Sequence, residues 1–568
     1  METSFWQKLP VAKALQEAFR HGYSFSAFKH DVVSGFIVSL IALPLAMALS
    51  IAVGLPPEHG LYTAIIAGIT AALLGGSVTQ VSGPTAAFVV IVAPIAAQYG
   101  MRGLIIAEIL AGFLLILFAF ARLGRFINYV PYPVTTGFTS GIAVVLITLA
   151  MNDLLGLGIS NLSGSYIHKL GLIIGHLPDF HWQEACVGLV SLAAMVFSRH
   201  LLPKAPPAVV GIFVGTFMAI AMEQFFGIHI ANLGSQFTYT LHGQVGHGVP
   251  PIPPTFHWPS LDPAGLFAWP SYDELRQLFP SALVIAALAA LESLLSATVA
   301  DSMSGHKHHP NSELFGIGMA NILSGLTMGI PATGAIARTT VNIHAGAKTP
   351  ISALLHGVFI LIYIVLLARW ISYVPMASLA ALLVITAVRM SHYKQVIHTL
   401  HVAPRSDSIV LVMCLTLTVF IDMVAGVTVG MVLASLLFMQ KIASLMETEV
   451  QISGAPLSEE EEPLPDNTVL YHMNGPLFFG TVEKVFGNYS FVHDHVTTLI
   501  IDMEDVPLID MTGLVAMKAL LQKVAHEKRQ VILCGKREMV ESILRKMPEN
   551  VLRFIRTTPT VKQAIASV

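Results

Sequence analysis

Twelve apolar runs punctuate the first 440 residues, most of them near the roughly 20 residues that a helix needs to cross the hydrocarbon of a bilayer. They lie near 32–54, 58–76, 102–121, 133–152, 184–202, 206–226, 279–302, 313–328, 351–369, 372–390, 407–422 and 424–440. The pattern predicts a polytopic α-helical membrane protein. Two further stretches, "VSGPTAAFVVIVAPIAAQYG" (81–100) and "TGAIARTTVNIHAG" (333–346), are too short or too rich in small residues for ordinary spans. Counting both gives fourteen segments.

The pattern then repeats itself. Ser82-Gly83 and Thr333-Gly334 stand 251 positions apart, "LLGG" (73–76) and "LSGL" (323–326) 250 apart, and the two "YVP" triplets (129–131, 373–375) 244 apart. The near-common offset predicts two halves of seven spans. An odd number of spans per half forces opposite orientation, so the repeat is inverted.

Composition agrees: 54% of the 568 residues are hydrophobic and only 11% charged, with mean hydropathy +0.70. Of the 31 Lys and Arg, 13 fall at or after Lys441. The chain therefore divides into an N-terminal segment (1–30), a membrane domain (31–442), a linker (443–467) holding the acidic run "SEEEEP", and a tail (468–568) of ordinary composition. Residues 1–30 are mixed and carry Lys8, Lys13, Arg20 and Lys29, unlike a cleavable signal peptide. Starting with a cytoplasmic N-terminus, fourteen spans put thirteen Lys and Arg on the cytoplasmic side and four (Arg102, Lys169, Arg276, Arg369) outside. The positive-inside rule favours that topology, and it leaves the tail cytoplasmic. No basic stretch suggests nucleic acid. Cys186, Cys414 and Cys534 are too scattered for a disulfide framework or a zinc site. "GHKHHPN" (305–311) reads as a polar loop, and neither a metal nor a cofactor is expected.

Candidate chemistry sits in the two short segments. Interrupted helices at matching positions of both halves mark the substrate site in inverted-repeat transporters. Ser82-Gly83 and Thr333-Gly334 fit as caps of these half-helices, and Pro84 fits a first turn. Two helix N-termini aimed at one cavity suit an anion. Arg338, one turn into the second half-helix, either adds a full charge to that field or pairs structurally with a carboxylate or carbonyls. Glu292, in "AALAALESLLSATVADS", is the other buried charge. It carries a proton, holds sodium, or neutralises a neighbour. Asp31 is expected to cap the first span and Asp422 a turn between the last two. Asn321 and Asn342 are expected to cross-link helices.

The tail alternates strands ("TVLYHMNGPLFFG", "TTLIIDMEDVPLID", "QVILCGK") with helices ("MTGLVAMKALLQKVAHEKR" and around 537–547), which predicts a small α/β module. It has no phosphate-binding loop and reads as regulatory.

"LIALPLAMALSIAVGLPPEHGLYTAIIAG" (40–68), "VSGPTAAFVV" (81–90), "LESLLSATVADSMSG" (291–305) and "GAIARTTVNIHAGAKTPIS" (334–352) resemble the SulP (SLC26-type) anion transporter family. "VPLIDMTGL" (506–514) resembles the strand-to-helix turn of a STAS domain. The resemblance implies fourteen segments divided into core and gate domains, homodimers, and elevator-type motion in a bacterial inner membrane. It implies a substrate site at Thr85, Ala86, Ala335, Ile336, Ala337 and Arg338, with Glu292 as the cation-coupling position. Pro44-Leu45 stands where many sulfate carriers have Pro-Gln, which argues against sulfate, and "IALPLAMAL" and "GPTAAFVVIV" are most similar to bacterial members that carry C4-dicarboxylates such as succinate and fumarate. Bicarbonate and sulfate transport, or an uncoupled channel, stay open. Thr512, in Asp510-Met511-Thr512-Gly513, is a candidate regulatory hydroxyl. A cytoplasmic protein partner for the tail is a further expectation. No activity as an enzyme is expected.

Overall fold

Proline and glycine set the limits of most membrane helices. The computed structural model describes residues 11–20, 22–159, 162, 164–202, 205–241, 244–257, 268–452, 464–486, 496–535, 537–545 and 547–568. Lys8, Lys204 and linker residues 453–463, with the acidic run, lie outside the described residues. The first half contains α1 (Phe25–Val53), α2 (Pro57–Leu74), α3 (Ala86–Phe120), α4 (Tyr132–Leu155), α5 (Trp182–Leu201) and α6 (Pro207–Phe226). The second contains α7 (Tyr272–Ser304), α8 (Pro310–Gly325), α9 (Ile336–His344), α10 (Ile351–Ile371), α11 (Met376–Met390), α12 (Arg405–Phe420) and α13 (Met423–Ser444). Four of these (α2, α6, α8 and α4) carry Pro in the first turn, where a missing N–H costs nothing. α3 holds two spans broken at Gly100, whose φ of 65° interrupts the helix. The chain thus has fourteen segments in 7+7 inverted repeats. Among the described residues, eight helices are long and apolar enough to cross a membrane.

The helices pack as two groups. α1–α3 interlock with α7–α10, α4–α6 pack with α11 and α12, and Gly426 and Gly430 at the start of α13 lie against Cys414 of α12. Matching contacts recur in both halves. The second span of α3 lies on α8 as α10 lies on α2. A methyl group at Gly112 would sit 2.6 Å from the Gly318 carbonyl oxygen, and one at Gly357 would sit 3.0 Å from that of Ile65. Small residues let these backbones touch.

Asp31 does not cap the first span. Ser24 does, accepting from the Ala27 N–H at 3.2 Å. Asp31 lies two turns further in and accepts from Lys348 N, Thr349 N and Thr349 Oγ1 at 2.7, 3.1 and 2.6 Å. It fastens the loop between α9 and α10. Asp422 does cap, accepting from Ala425 N at 2.7 Å. Asn342 bridges Thr79 O and Ser352 Oγ, whereas Asn321 holds the peptide of Ala332.

The structure divides into two compact units, Met1–Met431 and Val432–Val568. The second contains a sheet of β3 (Glu447–Ile452), β4 (Thr468–Asn474), β5 (Thr498–Asp502), β6 (Gln530–Cys534) and β7 (Ile555–Thr558), in that order. β3 runs antiparallel to β4 and the others pair in parallel. The linker expected over 443–467 therefore contains an edge strand, because its "ETEVQI" alternation pairs with β4. Every residue of β5 is buried, as a central parallel strand covered on both faces requires. Cys534 is fully buried, and burial pushes its thiol up to about 11. It is expected to resist maleimide at neutral pH in the folded tail and to react fully in denaturant, as read by mass spectrometry.

Candidate functional site

Two residues from each half build the centre of the core. β1 (Ser82–Gly83) pairs antiparallel with β2 (Thr333–Gly334), in the register Ser82↔Gly334 and Gly83↔Thr333. Exchanging the halves turns one pair into the other, so the pseudo-twofold axis passes through this bridge. All four residues are buried. They lie in the bridge, ahead of the residues at which the helices begin, which corrects the expectation that they cap the half-helices. The N-cap positions belong to Thr85 and Ala335, and neither gives a side-chain cap. Pro84 likewise lies before the first turn. The first-turn N–H groups of α3 and α9 therefore carry no side-chain caps, and anions suit such ends.

Hydroxyls fix the bridge in place. Ser293 Oγ lies 2.8 Å from Thr333 Oγ1 and accepts from Gly334 N at 3.0 Å. Thr339 Oγ1 accepts from Val81 N at 3.1 Å, and Ala335 N donates to Val81 O at 2.9 Å.

Arg338 is only 2% exposed. Its guanidinium turns back across the bridge and donates through Nη2 to the Pro84 carbonyl. Nε and Nη1 have no hydrogen-bond partner among the described residues. The bare Gly83 makes room, since a methyl group there would come within 2.6 Å of Nη1. Gly83→Ala is therefore expected to displace the guanidinium and weaken anion binding roughly tenfold, with the helical circular dichroism unchanged. Titration of the purified variant with substrate checks this.

Glu292, half-buried on α7, accepts from Thr85 Oγ1 at 2.9 Å. That bond takes the one hydroxyl hydrogen of Thr85 and links the start of α3 to a carboxylate. Of the other expected lining residues, Ala86 and Ala335 are buried, while Ile336 and Ala337 are exposed. The open wall is thus Thr85, Ile336 and Ala337, with Arg338 behind it.

Sequence reasoning missed two supporting residues. Glu313 on α8 accepts from Gly76 N, Ser77 N and Gln80 Nε2 at 2.9, 3.0 and 2.7 Å, pinning the loop that enters β1. His356 on α10 is fully buried and packs beside Gly68 and the back of β1. His356 was a lone polar residue in an apolar run, which is the available signal, whereas Glu313 follows Asn311 and Ser312 and reads as the end of a polar loop. A separate cavity of about 600 Å³, walled by Phe118, Tyr129, Leu288, Leu291 and Met423, is almost wholly apolar and offers an anion nothing. Among the described residues no His, Cys, Asp and Glu cluster could hold a metal. Two of the loop histidines, His308 and His309, bond Asp301 and Glu17 instead.

Comparison with known families matches residues 28–414 to the sulfate permease family and residues 462–564 to the STAS domain. The chain belongs to the sulfate permease family. Relatives of the chain include "Putative sulfate transporter YvdB" of Bacillus subtilis, 36% identical over 92% of this chain and 94% of its own length. The bicarbonate transporter BicA of Picosynechococcus sp. is 28% identical over 90% and 89%. Among solved structures, SLC26A9 superposes with TM-score 0.82 over 98% of this chain and 92% of its own, at 16% identity, and shares the fold. The transmembrane domain of a cyanobacterial BicA gives TM-score 0.59 at 26% identity, over 72% and 98%. The protein is a multi-pass anion transporter and not an enzyme.

In its STAS domain, Asp510 caps the helix α14 (Met511–His526), accepting from Gly513 N at 2.7 Å and also from Phe479 N at 3.1 Å. Thr512 is exposed beside it.

Proposed function

We propose that the protein takes up a C4-dicarboxylate, such as succinate or fumarate, together with protons. The observation that carries the coupling is the Thr85–Glu292 hydrogen bond next to the two unused donors of Arg338. An anion entering between the half-helix N-termini meets the N–H groups, the guanidinium and a carboxylate. If Glu292 is ionised it repels the anion; a proton on it removes the repulsion. Anion and proton therefore favour each other's binding, and the linkage is reciprocal. Sodium at Glu292 would act by the same neutralisation and is the competing cation.

The choice of dicarboxylate is supported by the resemblance of "IALPLAMAL" and "GPTAAFVVIV" to members that carry such anions, while Pro44-Leu45 argues against sulfate. Bicarbonate or sulfate is the second reading, favoured by the relatives named for those anions. An uncoupled anion pathway is a third. The group α1–α3 with α7–α10 would move as an elevator against α4–α6 with α11–α13, lipid filling the apolar crevice. We place the protein in a bacterial inner membrane as a homodimer, with its N-terminus and STAS domain cytoplasmic. Thr512 is then the exposed hydroxyl open to a kinase, and the STAS surface is open to a cytoplasmic protein partner.

The test is uptake of labelled succinate into liposomes with and without an inward proton gradient, with fumarate, sulfate and bicarbonate as competitors. Gradient-stimulated succinate uptake supports the reading. Sulfate or bicarbonate uptake without succinate uptake overturns the substrate and leaves the site. Deleting residues 445–568, which removes β3 together with β4, is expected to lower transport or assembly while the order of competitors stays the same. A changed order would place the tail in the site.

A further inference from the structure

Glu108, in the second span of α3, is wholly buried, and neither carboxylate oxygen has a hydrogen-bond partner among the described residues. A bare carboxylate at membrane depth needs a proton, a cation or a donor. Oε2 points at the end of α8, 3.6 Å from where a methyl group on Gly325 would be. The adjacent Ser324 is the hydroxyl within its reach. Ser324 Oγ, however, gives its single hydrogen toward Ile330 O at 3.2 Å, with Thr63 Oγ1 at 3.4 Å.

That carbonyl belongs to the strand leading into the bridge. Ile330 N also donates to Thr63 Oγ1 at 2.6 Å, and Asn321 clamps both backbone groups of Ala332 at 2.9 and 3.0 Å. Thr333 follows directly. Ser324 is thus one of the tethers holding β2, and Glu108 stands beside it unpaired.

Among the described residues no charged group bonds Glu108. On α7, Glu274 pairs with Arg102, Glu292 holds Thr85, Asp301 holds His308, and Asp273 and Arg276 lie in the first turns. Glu313 on α8 and Asp31 on α1 are held by backbone N–H groups together with Gln80 Nε2 and Thr349 Oγ1 respectively. Lys29 and His30 on α1, Asp153 on α4 and Arg125 after α3 form no bond or ion pair with Glu108. His59 on α2 bonds Met328 O at 2.6 Å, and Glu58 precedes it.

We propose that Glu108 is a second proton-binding site of the transport core, separate from Glu292, and that its proton decides which acceptor Ser324 serves. Protonated, Glu108 is neutral and donates to Ser324 Oγ, and Ser324 keeps its bond to Ile330 O. Ionised, the carboxylate is a stronger acceptor than a carbonyl and takes the Ser324 hydrogen. The strand entering β2 then loses that tether. The proton count at Glu108 is thereby read by the backbone of the anion site. This inference depends neither on which anion is carried nor on coupling through Glu292.

Dicyclohexylcarbodiimide, which enters lipid and modifies protonated carboxyl groups, tests it on the full chain in liposomes. Adducts are located by peptide mass spectrometry. A Glu108 adduct is expected whose yield falls at least about tenfold as pH rises through the range of buried carboxyl groups. Sodium should not protect it, and Glu292→Gln should leave it unchanged. Ser324→Ala removes the donor to the ionised form, so labelling should persist to more alkaline pH by about one unit. A yield that ignores pH, an absent adduct where Glu292 is labelled, protection by sodium, or an unshifted Ser324→Ala profile would each overturn the proposal. Because the readout is chemical modification, failure of succinate uptake would not be confused with failure here.

Discussion

Arg338→Ala is expected to lower substrate affinity by a factor on the order of 100 or more, while the protein still purifies folded. Truncating one member of a buried, hydrogen-bonded charge contact typically costs about 2–5 kcal/mol. Here the loss falls on the ligand, since Nε and Nη1 have no partner to leave behind among the described residues. The fold loses one bond, to the Pro84 carbonyl, and sheds the cost of burying a guanidinium within the membrane. Those two effects oppose each other, so stability should change little. Arg338→Lys supplies the control. It keeps a positive charge but not the planar fork, and intermediate affinity is expected. Substrate titration of the purified variants beside size-exclusion profiles measures both sides. Unaltered affinity in a folded Arg338→Ala protein would remove this residue from the site.

The second large effect concerns Glu292. Glu292→Gln keeps an acceptor for Thr85 Oγ1, so the start of α3 should hold its place. What disappears is the ability to switch between charged and neutral. The variant is expected to retain substrate exchange across liposomes yet lose accumulation driven by a proton gradient. For one proton per substrate, that is about tenfold in accumulation for each pH unit of gradient, since a tenfold ratio is worth about 1.4 kcal/mol. Counterflow and gradient-driven uptake measured on the same vesicles separate the two. Accumulation that survives in Glu292→Gln would assign coupling elsewhere.

The spans were legible because a bilayer imposes a length on every apolar run, and the two exceptions to that length were legible for the same reason. "VSGPTAAF" and "PATGAIAR" cannot cross as ordinary helices. The structure shows why: each spends its first residues on a strand. The capping roles were misread because Ser and Thr before a helix look alike whether their backbone is capping or pairing. Only the partner strand, 251 positions away, distinguishes the two. Asp31 was misread similarly. Its place at the edge of an apolar run suggested a cap, but its ligands come from Lys348 and Thr349. The strand at Glu447–Ile452 was hidden because a lone edge strand carries little hydrophobic signal before its partner is known. Arg338 and Glu292 were found because an isolated charge in an apolar segment is costly anywhere. By that reasoning Glu108 was equally visible, whereas Glu313, next to Asn311 and Ser312, was hidden at the edge of a polar loop.

The bridge also sets a schedule for synthesis. β1 leaves the ribosome 251 residues before β2. At about 5–20 residues per second, roughly 13–50 s pass before its partner exists. During that interval Ser82 and Gly83 present unpaired backbone groups at membrane depth, where lipid cannot satisfy them. The insertion machinery, or water held beside the nascent first half, must shelter them until the second half arrives. Codon choices or slow spans that lengthen the wait between the halves should therefore reduce yield more than the same delays placed after residue 334.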